Sequence, residues 1–180
     1  METISPKVRR STETVYDIAF DLVKKLKDAG QTLGVAESLT AGGVMAAVTS
    51  VSGASSVFRG GVVSYATPLK EKLLGVDGNL IALEGVIHAD VAKQMAEGAR
   101  RITSLDGSQT TWGIGTTGVA GPGPQDNRPV GMVYIGIAGP SGSRAWGPFS
   151  FPGGREQIRE ATIVEALHRL RELVSAIPHD

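Results

Sequence analysis

Leu33-Gly34-Val35-Ala36-Glu37-Ser38-Leu39-Thr40-Ala41-Gly42-Gly43 decides how the rest of the chain is read. An apolar run, Leu33 to Ala36, stops at Glu37 and Ser38; small residues follow, and then a helical run from Val44 to Val51. This is the layout of a strand that ends in a sharp turn and opens into a helix. A hydroxyl at such a junction stands at the carboxyl edge of a sheet, beside the free amides of a helix start. Those amides carry partial positive charge and suit an oxyanion or a phosphate. The plainer reading of Ser38 is a helix N-cap whose oxygen satisfies one backbone amide. What separates the two is the company Ser38 keeps further along.

On the N-terminal side, Val15, Ile18, Ala19, Leu22 and Leu26 recur at helical spacing in a helix expected from Thr12, with Gly30 as its C-terminal cap. Residues 1–13 read as a flexible lead and residues 14–177 as a single domain. On the C-terminal side, Phe58 to Ala66 reads as a strand, its Val62-Val63 centre suggesting burial on both faces. Thr67 and Pro68 are the expected N-cap and first residue of a short helix closed by Gly75. Residues 76–88 read as a connector with one helical turn near Leu80 to Leu83. A helix over 89–103, with Met95 as core filler, leads to a strand over 110–116. Strands over 130–138 and 145–151 form a hairpin, and a last helix carries Ile163, Leu167, Leu170, Val174 and Ile177 on one face. This order predicts an α/β fold: three layers, α/β/α, around a mixed sheet.

Composition narrows the chemistry. A chain of 180 residues with 41% apolar and 20% charged side chains is globular. Basic and acidic residues balance at 18 each, which argues against a nucleic-acid partner. No stretch reaches the roughly 20 apolar residues of a membrane span, so no membrane partner is expected, and no apolar signal core opens the chain. The expected location is the cytoplasm. The absence of cysteine removes thiol nucleophiles and thiolate metal sites. His88, His168 and His179 are scattered, which disfavours a three-histidine metal site. No metal and no other cofactor is expected.

Two cations stand where a helix start disfavours them. Lys70 falls in the first turn of its helix, and Arg155 opens the last one after Gly153-Gly154. Each is either solvated or placed for a purpose. The stretch from Thr117-Gly118-Val119-Ala120-Gly121-Pro122 to Pro129 lacks apolar periodicity. It reads equally as a cradle of backbone amides facing an anion or as a long connection with no ligand.

Taken together, Ala36-Glu37-Ser38-Leu39-Thr40, the segment Tyr65 to Lys70, Thr117 to Pro122, Pro129-Val130-Gly131 and the Gly154-Arg155 helix start resemble the CinA C-terminal domain family. The resemblance runs from about residue 14 to 175, and it is to the stand-alone nicotinamide-nucleotide amidohydrolase form. It implies hydrolysis of the nicotinamide amide of nicotinamide mononucleotide (NMN) to nicotinate mononucleotide and ammonia, and a homodimer or larger assembly. By the same resemblance the nucleophile is Ser38, and Lys70, Tyr65 and Thr117 complete the catalytic set. Arg155, Thr40, Gly118, Ala120 and Gly121 hold the nucleotide. This chain departs from the family at Gly123-Pro124-Gln125-Asp126-Asn127, where Gly and Ser are common, at Ala41, where Gly is frequent, and at His88.

Amide hydrolysis needs a nucleophile, a base and donors for an oxyanion. Without cysteine, Ser plus Lys is the available pair. The base must be neutral, so the ordinary lysine pKa has to fall through burial or nearby positive charge, including Arg155 if it lies close. The expected scheme has Lys70 take the Ser38 proton, directly or through the Tyr65 hydroxyl. The amides after Ser38 and the Thr117 hydroxyl then hold the oxyanion, and Arg155 with the Gly-rich loop holds phosphate or ribose. Two alternatives stand beside it: a nucleotide-binding or regulatory module without turnover, and a Ser-His hydrolase using His88 or His168.

Overall fold

β1 (Leu33–Glu37) and β3 (Trp112–Gly118) run parallel at the heart of the sheet, and every residue of both is buried. The computed structural model describes residues 12–176. β2 (Phe58–Val63) pairs in parallel with the other side of β1; β4 (Met132–Gly139) and β5 (Gly142–Ser150) add antiparallel beyond β3. The five strands lie in the order β2-β1-β3-β4-β5. Because successive side chains of a strand face opposite ways, both layers of helices share these central strands.

One face carries α1 (Val15–Asp28), α2 (Gly43–Thr49) and α6 (Arg155–Ser175). Leu22, Leu26, Val35, Val48, Ile114, Ile135, Leu167 and Leu170 make the core between them and the sheet. The other face carries α3 (Thr67–Leu74), α4 (Gly78–Glu84) and α5 (Ala89–Ile102), packed through Ala36, Leu74, Val91, Met95 and Ala99. α5 lies directly on the strands: a Cβ at Gly113, Gly115 or Gly136 would collide with the backbone carbonyls of Ala96 or Ala92. Those glycines account for part of the enrichment visible in the composition. The three-layer α/β/α arrangement with a mixed sheet is therefore present.

Local details differ from the expectations. β2 is an edge strand that ends at Val63, and Val63 is exposed. An apolar Val-Val pair does not distinguish an edge covered on one face from a strand buried on both. α1 starts at Val15, with Thr14 rather than Thr12 beside its first turn: the Thr14 hydroxyl accepts from Asp17 N, and the Asp17 carboxylate answers the Thr14 amide. In α3 the cap is Ala66, and Thr67 and Pro68 are both inside the helix. The expected single turn near Leu80 is a full helix, α4, capped by the Asp77 side chain on Asn79 N. Most of the expected N-terminal lead, and Ile177 of the last helix face, lie outside the described residues. Among the described residues no helix is long and apolar enough to cross a membrane.

Candidate active site

Ser38 follows β1 directly, at the carboxyl edge of the parallel strands. A turn over residues 38–42 delays α2 until Gly43, and the cap of α2 is Gly42, with φ 94. Ser38 is therefore not an N-cap. The free amides of α2 do not face a ligand either. The buried carboxylate of Glu37 takes both, Oε1 accepting from Val44 N at 2.8 Å and Oε2 from Met45 N at 3.0 Å. The positive end of this helix is satisfied from within the chain.

The turn itself is held on every side. Ser38 N donates to Thr116 O at 3.2 Å, and Ser38 O accepts from Ala41 N at 3.1 Å. Ala41 sits at φ 49, a left-handed conformation that favours glycine. Arg159 of α6 reaches across to donate to Leu39 O at 3.1 Å and Thr40 O at 3.2 Å. With those carbonyls turned toward α6, the amide of Leu39 is left without a hydrogen bond among the described residues. It is the donor directly after the nucleophile position.

Lys70, the fourth residue of α3, is 1% exposed. Its Nζ donates to Ser38 Oγ at 3.0 Å and to Ser64 O at 2.7 Å. Burial pulls its pKa from 10.5 down to about 8, and the negative charge of Asp126 opposes that shift. Loss of hydration, not the Arg155 cation, is what depresses it. Arg155 spends its guanidinium elsewhere, Nη1 on Gly121 O at 2.6 Å and Nη2 on the Tyr65 hydroxyl at 2.7 Å. Tyr65 is exposed. Since Lys70 touches Ser38 directly, no relay through Tyr65 is needed.

Other expected site residues take different roles. The Thr117 hydroxyl, fully buried, donates to Val86 O at 2.6 Å, so its proton is not free for an oxyanion. Thr40 is buried with its hydroxyl 2.8 Å from that of Thr116. Gly118 is the last residue of β3, buried and paired with Val133, and Ala120 is also buried. Gly121 does border the site, but it presents a carbonyl to Arg155 rather than an amide to an anion. The loop beyond closes in a tight turn, Gln125 and Arg128 exchanging backbone bonds at 3.2 and 2.8 Å, with Asp126 and Asn127 at φ 47 and 57. The structure therefore brings together Ser38, Lys70, Tyr65, Arg155 and Gly121, and gives Thr40, Thr117 and Gly118 to the framework.

Four residues at this edge had no role in the sequence reading: Glu37, Ser64, Asp126 and Arg159. Arg159 stands one helical turn after Arg155, and that spacing was a usable signal. Ser64 is fully buried, and its hydroxyl has no partner among the described residues. The two described histidines, His88 and His168, are engaged elsewhere. His88 Nδ1 accepts from Asp90 N at 3.1 Å as the cap of α5, and His168 Nε2 lies 3.1 Å from Glu172 on α6. Lys70, not a histidine, is hydrogen-bonded to Ser38. A separate depression of about 840 Å³, lined by Glu97, Arg100, Ser108 and Ser143, opens at the opposite, amino edge of the parallel strands.

A buried lysine on a serine at a strand end, with a Gly-Pro loop beside it, can be compared with known proteins. The CinA C-terminal domain model matches residues 15–174. The chain belongs to the CinA C-terminal domain family. A CinA-like protein of Frankia casuarinae is 45% identical over 148 residues, covering 82% of this chain and 33% of the relative. A CinA-like protein of a Synechococcus strain is 45% identical over 156 residues, covering 86% of this chain and 36% of the relative. The chain thus spans about a third of the length of these CinA-like proteins. Among solved structures, the competence/damage inducible protein CihA from Agrobacterium tumefaciens superposes with TM-score 0.80 at 30% identity, over 88% of this chain and 94% of that one. A CinA superfamily protein from Escherichia coli gives TM-score 0.84 at 24% identity, over 96% and 99% of the two chains, which shows the shared fold.

Proposed function

We propose that this CinA-family chain is a serine–lysine amidohydrolase that converts NMN to nicotinate mononucleotide and ammonia. The observation that carries the reading is the 3.0 Å contact between Lys70 Nζ and Ser38 Oγ, with the lysine buried and its pKa brought down to about 8. A lysine of that kind is deprotonated often enough near neutral pH to serve as a base. Neutral Lys70 takes the Ser38 proton as Oγ bonds to the carboxamide carbon. The oxyanion that forms is held by the Leu39 amide. The Lys70 ammonium then protonates the leaving nitrogen, the C–N bond breaks, and ammonia departs. Water adds to the acyl ester, giving its proton to Lys70; the ester bond breaks, Ser38 recovers its proton, and the carboxylate product leaves.

The substrate would lie along the carboxyl edge of β1 and β3, its phosphate toward the guanidinium donors that Arg155 still has free after binding Gly121 O and Tyr65. A homodimer or larger assembly and a cytoplasmic setting belong to the same proposal. The test is ammonia release from NMN by the purified protein and its Ser38→Ala variant. Turnover that disappears with Ser38 supports the reading. Tight NMN binding without ammonia assigns the chain to the binding-module class instead.

A further inference from the structure

The loop that the family likeness assigns to the phosphate carries an acid in this chain. Asp126 Oδ2 accepts from Val86 N at 3.0 Å, and the Val86 carbonyl accepts from Thr117 Oγ1 at 2.6 Å. Val86 is thus gripped from the Gly-Pro loop on one side and from the end of β3 on the other. Thr116, next to Thr117, is in turn the acceptor for Ser38 N. The chain of contacts sets Asp126 at the same carboxyl edge as the Ser38–Lys70 pair. A second contact fixes the loop from its far end, where Arg128 lies 3.9 Å from Glu84 of α4. The connector also lies close to this carboxylate: a Cβ at Gly85 would fall 2.8 Å from Asp126 Oδ2.

Asp126 is exposed, and one of its oxygens is committed to Val86. The other accepts no hydrogen bond among the described residues. Its charge is felt at Lys70, where it opposes the effect of burial. Glu37, nearest to Ser38 in sequence, is spent on the α2 amides instead. A carboxylate here is poorly suited to a phosphate. It is well suited to a cation that arrives with the carboxamide.

We propose that Asp126 is a specificity-determining residue, the counter-charge for a positively charged aromatic ring bearing the scissile carboxamide. The inference rests on the amidohydrolase reading and names its substrate class: amides on N-substituted pyridinium rings, in preference to amides on neutral rings. The ring nitrogen of NMN is quaternary and carries this charge. The dihydropyridine form of the same nucleotide has the same ribose, phosphate and amide on a neutral ring.

The test compares the two ring forms. Binding of NMN and of its 1,4-dihydro form is measured by calorimetry in the Ser38→Ala protein, alone and combined with Asp126→Asn. Asparagine keeps an acceptor for Val86 N and removes only the charge. The expected result is a fall in the affinity ratio, cationic over neutral, of about three- to tenfold, the size of one partly screened charge at short range. Equal weakening of both forms makes Asp126 a loop anchor and overturns the inference. An unchanged ratio, or no binding of either form, overturns it as well. Ammonia release from NMN by the parent protein is scored separately. Release with an unchanged ratio sinks the counter-charge alone, while a shifted ratio without release sinks the hydrolase reading alone.

Discussion

The amine of Lys70 donates to the Ser38 hydroxyl across 3.0 Å from a position with 1% of its surface exposed. Under the proposed mechanism, the pH dependence of turnover follows from that burial. Only the neutral amine accepts the Ser38 proton, and its pKa is lowered to about 8. The rate of ammonia release is expected to rise roughly tenfold per pH unit below that value and to level off above it. Removing the opposing charge with Asp126→Asn should move the limb to lower pH. A profile centred near the ordinary histidine value of about 6.5, abolished by replacing His88 or His168, would instead indict an imidazole base.

Stability should respond to pH through the same group. The folded chain releases the Lys70 proton near about 8, whereas the unfolded chain holds it to about 10.5. Between those values the unfolded state binds more protons, so stability rises with pH across that window. Below it both states are protonated and the cost of the buried ammonium is fully present, about 3 kcal/mol. Lys70→Met removes that cost. The variant is expected to be inactive yet more stable than the parent at pH 7, by up to about 2 kcal/mol after loss of the hydrogen bonds to Ser38 and Ser64. Urea unfolding at pH 7 and pH 10 checks it: the gain should shrink at the higher pH, and a variant less stable at pH 7 would contradict the account.

Glu37 anchors the start of α2, and its replacement should cost more than an ordinary cap. Glu37→Ala leaves the Val44 and Met45 amides without acceptors, Val44 being fully buried. The expected loss is about 2–4 kcal/mol. Glu37→Gln turns one acceptor into a donor that faces an N–H, so it should recover only part of that. Denaturant midpoints of the two variants measure this directly. A loss below about 0.5 kcal/mol for the alanine variant would mean that water replaces the carboxylate.

The layers were legible in the sequence because strand-like segments such as Leu33 to Ala36 and Thr110 to Thr116 alternate with periodic helices. Strand pairing is largely dictated once those elements are placed. Ser38 and Lys70 were legible for different reasons. Ser38 stands at a strand end, where a polar residue breaks an apolar run, and Lys70 stands where a helix dipole disfavours it. That Lys70 is buried, and that burial rather than Arg155 lowers its pKa, could not be read, because burial is a property of what the chain packs around a residue. The hydrogen bonds of Thr117 and Thr40 were hidden for a related reason. A hydroxyl beside a Gly-rich loop looks available in sequence, yet a buried one finds the nearest carbonyl or hydroxyl, here Val86 and Thr116. Glu37 was invisible as an anchor because its partners, Val44 and Met45, follow it by seven and eight residues, beyond the three-residue reach of a capping box.

Thr117 supplies the sharpest test of this revised site. If its hydroxyl held the oxyanion, Thr117→Val would cost about 10²–10³ in kcat, as removal of such a donor does elsewhere. The structure commits that proton to Val86 O at 2.6 Å. The expected outcome is a loss of stability of about 1–3 kcal/mol, from a buried carbonyl left unpaired. kcat should fall by less than about tenfold, because the Leu39 amide remains in place. Thr117→Ser, which keeps the donor, should restore most of the stability. Steady-state ammonia release and unfolding midpoints on the two variants separate the roles: a collapse of kcat without loss of stability would return Thr117 to the chemistry.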